Sequence, residues 1–69
     1  MKTWTQQVSE QSAETLAGWL IDCRNSAMES RNRAEREGDA WWRKQYELSA
    51  SINEARVAYL SEILAGGAS

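Results

Sequence analysis

The chain contains no proline, and glycine occurs only at Gly18, Gly38, Gly66 and Gly67, so long helices can run between those points without a strong breaker. The rest of the sequence agrees. Apolar β-branched residues are confined to Val8, Ile21, Ile52, Val57 and Ile63, while alanine, glutamate, glutamine, arginine and leucine, all good helix formers, recur throughout. Gly38-Asp39 reads as a hinge, with glycine in the left-handed conformation that closes one helix and aspartate capping the next. Arg31, Arg33 and Arg36 precede the hinge, where cations complement a helix C-terminus. The expected organisation is one all-α domain over residues 1–69: helix one about 3–37, the hinge, helix two about 40–65, and a frayed tail 66–69.

The spacing predicts how the helices meet. Ala13, Leu16, Leu20, Cys23, Ala27, Ser30 and Ala34 recur at alternating three- and four-residue steps, as do Trp41, Gln45, Leu48, Ile52, Ala55 and Tyr59. Folding back at Gly38 pairs Ala34 with Trp41, Ser30 with Gln45, Ala27 with Leu48, Cys23 with Ile52, Leu20 with Ala55 and Leu16 with Tyr59, a constant index sum of 75. Small residues then face large ones along most of the seam, the arrangement that fills space between layers. The result is an antiparallel αα-hairpin.

Apolar residues remain outside that seam. Trp42, Tyr46, Leu60 and Leu64 lie about 100° from it on helix two, and Ala17, Ile21 and Met28 lie at a similar angle on helix one, with Arg24, Arg31 and Arg56 along the edges. So much apolar area on one open face predicts a homodimer, two hairpins packed into a four-helix bundle. Its interface is expected at Ala17, Ile21, Asn53, Leu60 and Leu64, with Ser49 and Asn53 placed to fix register by hydrogen bonding. Trp4, Val8 and Trp19 are out of phase with the seam, and Ser9 and Ser12 offer caps. Residues 1–10 therefore read as an arm or short helix folded over the bundle.

Several functional classes are disfavoured. Sixty-nine residues make a marginal core; a lone Cys23 and the absence of histidine leave no intrachain disulfide and no ordinary zinc site, so self-association is the expected means of stabilisation. Eight basic against ten acidic residues, a net charge of -2, does not mark a nucleic-acid binder. Met1-Lys2 runs into polar Thr3-Trp4-Thr5 rather than a secretory leader, and the longest apolar run is Trp19-Leu20-Ile21, so a soluble cytoplasmic protein without a membrane span is expected. Acid/base and nucleophilic catalysis lack a histidine base, Cys23 reads as a small core residue, and the glutamates are scattered without paired-acid or metal spacing. No catalytic residue, metal or cofactor is expected.

The positive signal is aromatic and arginine content: four tryptophans, two tyrosines and no phenylalanine, densest around the hinge. Such residues dominate protein-interface hot spots. Arg24, Met28, Arg31, Trp42, Arg43 and Tyr46 are the candidate partner contacts, with Trp42 and Tyr46 equally suited to a dimer core. Between Arg31 and Lys44 the basic surplus is only two, five against Glu35, Glu37 and Asp39, which favours a protein over a nucleic acid as partner. In size and architecture the chain resembles the plasmid RNA-binding hairpin dimers of the Rop type. In chain length, acidity and aromatic-rich helical hairpin it also resembles small bacteriophage proteins that disable host proteins, notably the quorum-sensing anti-activator of Pseudomonas phages, with anti-CRISPR proteins a neighbouring class. That resemblance spans the whole chain and implies a homodimer in the host cytoplasm that sequesters a LuxR-type transcriptional activator or inhibits a type IV pilus assembly ATPase. It assigns no functional residue.

Overall fold

A computed structural model describes residues 1–66, which form three α-helices: α1 (Trp4–Ser9), α2 (Ala13–Arg36) and α3 (Ala40–Leu64). The described residues contain no strand, and α2 and α3 lie against each other as a helical hairpin. No described helix is long and apolar enough to cross a membrane. Residues 67–69 of the expected tail lie outside the described residues.

The expected first helix is divided in two. Thr3 and Gln6 form a reciprocal capping box, Thr3 Oγ1 accepting from the Gln6 N–H at 3.2 Å and Gln6 Oε1 accepting from the Thr3 N–H at 2.9 Å. Six residues cannot hold a helix in isolation, and α1 is held by the buried side chain of Val8, which packs with Leu16 and Leu60. The chain then bends, and Ser12 starts α2 by accepting from the Thr15 N–H at 3.2 Å. The out-of-phase tryptophans are explained by this bend: Trp4 and Trp19 both pack on the Val8–Leu16–Leu60 cluster.

The hinge departs from expectation at one residue. Gly38 does not adopt a positive φ; α2 ends on an extended Glu37, at φ -82° and ψ 123°. Polar groups close the link instead. Asp39 caps α3, accepting from the Trp41 and Trp42 N–H groups at 2.9 and 3.2 Å, while Glu37 Oε1 accepts from the Asp39 N–H at 3.0 Å. Arg43 donates through Nε and a terminal nitrogen to the Glu37 carbonyl at 3.1 and 2.8 Å, satisfying a C-terminal acceptor of α2. The left-handed glycine is Gly66, at φ 84°, whose N–H donates to the Ile63 carbonyl and ends α3.

The seam is the larger correction. The Ser30 hydroxyl donates to Ser49 Oγ at 3.3 Å, and Arg31 reaches Glu54, so α3 is rotated by roughly a third of a turn and shifted from the register with index sum 75. The side of α3 turned to α2 carries Tyr46, Ala50, Asn53, Val57 and Leu60, of which Ala50 and Leu60 are 0% exposed. Trp41, Leu48 and Ile52, expected inside, are 60%, 49% and 54% exposed. The physical reason is a second solution in the same spacing. Ala34 with Tyr46, Ser30 with Ala50, Ala27 with Asn53, Cys23 with Val57, Leu20 with Leu60 and Leu16 with Leu64 share an index sum of 80. This register sets Ser30 against Ser49 and buries Ala27 and Ala34 of α2 and Ala50 of α3, and brings Leu60 to Leu16, Leu20 and the arm's Val8 at the other end. Asn53 is accommodated in the seam by donating to the Ser49 carbonyl at 3.0 Å.

Candidate protein-binding surface

The sequence candidates fall into three places. Arg24, Met28 and Arg31 share one face of α2 at helical spacing, and the structure joins them to Asn32, Ala27, Glu54 and Val57 as the walls of an open groove of about 330 Å³. Arg31 forms one wall with a two-point ion pair, Nε and a terminal nitrogen donating to the two Glu54 oxygens at 3.1 and 2.6 Å. The hydrogen bond and the charge hold the Arg31 guanidinium above its ordinary pKa, and the same hydrogen bond pulls the Glu54 carboxyl below its own. Both groups stay in solvent, so the pair positions the wall more than it stabilises the fold. Arg24 makes none of the ion pairs among the described residues. Met28 is exposed beside it, a flexible apolar side chain over a floor of Ala27 and Val57.

Trp42, Arg43 and Tyr46 stand apart from this groove, at the hinge. Trp41 and Trp42 meet edge to face with ring centroids 4.8 Å apart, and Trp42 and Tyr46 lie 6.2 Å apart. Trp42 is exposed, whereas Tyr46 is half-buried against α2 and Arg43 is committed to the Glu37 carbonyl. At the opposite end the arm builds a third cluster, Trp4 on Tyr59 at 5.5 Å with the Arg56 guanidinium 5.2 Å above the Trp4 ring.

Of the residues expected to join two copies, Ala17 and Ile21 are exposed and Leu64 partly so. Leu60 is not available, because it is fully buried in the hairpin core, and Asn53 is half-buried in the seam. Sequence reasoning missed Glu54 and Val57 as groove residues. Both become neighbours of Arg31 and Met28 only in the register with index sum 80, and Glu54 as a charge complementary to Arg31 was the available signal.

The groove is lined by the Arg24 guanidinium, the Arg31–Glu54 ion pair and an apolar floor, an arrangement suited to gripping an apolar side chain flanked by an acidic group or a carbonyl. Among the described residues no three His, Cys, Asp or Glu side chains gather where a metal ion fits. The chain matches no protein-family model, no curated protein and no solved structure.

Proposed function

We propose that this protein is a non-enzymatic inhibitor that occupies a surface of another protein through the groove between α2 and α3, blocking the target's DNA, nucleotide or subunit partner by steric competition. The observation that carries the reading is the exposed Met28 set between Arg24 and the Arg31–Glu54 pair. An apolar anchor ringed by oriented charge is the composition of an interface hot spot. The basic groups favour a protein over a nucleic acid: Lys2, Arg31 and Arg33 are each paired with a glutamate, and Arg43 is bound to a carbonyl. That leaves a small free positive field for phosphates.

The resemblance to phage anti-activators supplies the first targets to test, a LuxR-type activator and a pilus assembly ATPase. The experiment is binding of the purified protein to each, and affinity capture from host lysate, with wild type beside Met28→Glu and Arg24→Glu. Binding that the wild type shows and both variants lose supports the groove. Retained binding by both variants, or a gel shift with random RNA that fades steeply with salt, overturns it.

A further inference from the structure

We infer that α3 pairs with α3 of a second copy, antiparallel and two-fold, through the stripe Trp41, Gln45, Leu48, Ile52, Ala55 and Tyr59. The inference does not rest on the groove, which involves other residues. These six positions alternate by four and three residues, the spacing of a helix–helix seam, yet the hairpin does not use them: α2 covers the other side of α3, at Tyr46, Ala50, Asn53, Val57 and Leu60. Trp41, Leu48, Ile52 and Tyr59 are left exposed, over a rise of about 27 Å along the helix. Alongside them Gln45, Leu48, Ser49, Ile52, Asn53 and Arg56 line an open groove of about 510 Å³, a concavity into which the side chains of a facing helix fit.

The side chains along the stripe suit a second copy of the chain. Its numbers are symmetric about residue 50: Trp41 and Tyr59, Gln45 and Ala55, Leu48 and Ile52 each add to 100. An antiparallel copy therefore sets Trp41 on Tyr59 of the second copy, Gln45 on its Ala55 and Leu48 on its Ile52, and the reverse, as a self-complementary interface requires. A parallel copy would stack Gln45 on Gln45 and Trp41 on Trp41. The flanks agree with the antiparallel choice. Ser51 meets its own counterpart near the axis, Lys44 meets Ala58, and Trp42 meets Arg56, so no like charges are opposed and a cation stands by an aromatic ring at each end. Where the stripe ends at Tyr59, the arm's Trp4 adds a further ring 5.5 Å away for Trp41 of the second copy to meet. The Arg24–Met28 groove uses none of the stripe residues, so a dimer built this way presents two such grooves.

Analytical ultracentrifugation over a concentration series tests the pairing. Wild type should sediment as a dimer, and Leu48→Glu and Ile52→Glu should each weaken association by about 100-fold or more, the effect of an unpaired carboxylate in an apolar contact. Circular dichroism should show helicity retained, because neither side chain belongs to the hairpin core. Register is read by cross-linking in a Cys23→Ala background: Ser51→Cys should form a disulfide with its own counterpart and Trp41→Cys should not. A monomer at every concentration, a dimer indifferent to both charged variants, or self-cross-linking of Trp41→Cys overturns the inference. Loss of target binding by Met28→Glu with the dimer intact would touch only the groove.

Discussion

Gly18 lies in the interior of α2, and nothing stands within 4 Å of where its Cβ would be. A glycine there adds backbone entropy to the unfolded chain without any close approach to require it, so Gly18→Ala should stabilise by roughly 0.5–1 kcal/mol in urea titrations. Asp39 is the opposite case. Its carboxylate satisfies two N–H groups at the start of α3, and Asp39→Ala should cost about 1 kcal/mol. Glu54 gives a pH signature. Its folded pKa lies below the ordinary glutamate value because Arg31 donates to it, so its contribution is present above that ordinary value and disappears as pH falls through the folded one. Arg31, shifted upward, stays charged throughout that window. Carboxyl NMR should find Glu54 titrating low in wild type and returning to the ordinary range in Arg31→Gln.

At the level of elements, α1 is a six-residue helix whose only buried side chain is Val8, and its counterpart on α3 is Leu60. Leu60→Ala should therefore both open a cavity in the hairpin and loosen the arm. The cost is about 2–5 kcal/mol, a large share of the stability a chain this size possesses, and should be visible as a lost or much earlier thermal transition. Ile21→Ala, on the exposed face of α2, should change stability by no more than about 0.5 kcal/mol. The contrast separates the observed seam from one in which Leu60 faces a second copy. The arm was legible because Trp4 and Val8 fall out of phase with the α2 seam and Ser12 offers a restart cap. Its docking site was not legible, since it depends on where Leu60 points.

The whole molecule measures 43 × 25 × 17 Å, its least dimension under two helix diameters, so a single hairpin leaves broad faces uncovered. Only six apolar residues are buried among those described, whereas Trp41, Trp42, Met28, Leu48 and Ile52 face out. Such a core is marginal by itself, and association of two copies would stabilise it by mass action. Midpoint temperatures measured by calorimetry should accordingly rise with protein concentration for wild type and stay constant for Leu48→Glu.

Sequence alone determined the helical class and the hinge, though not the break that divides the expected helix 3–37 into α1 and α2. The absence of proline, the hinge at Gly38-Asp39, the Ser12 and Asp39 caps and the alternating apolar spacing were enough for an all-α hairpin with an N-terminal arm. Only the tertiary structure decided which side of α3 closes that hairpin. Two stripes on α3 have the same alternation, and each pairs with α2 at a constant index sum, so periodicity could not separate them. The choice fell to packing in three dimensions: Ser49 meets Ser30, Ala27, Ala34 and Ala50 are buried, and Leu60 completes a cluster with Leu16 and Val8. Trp41, Leu48 and Ile52 were left on the outside.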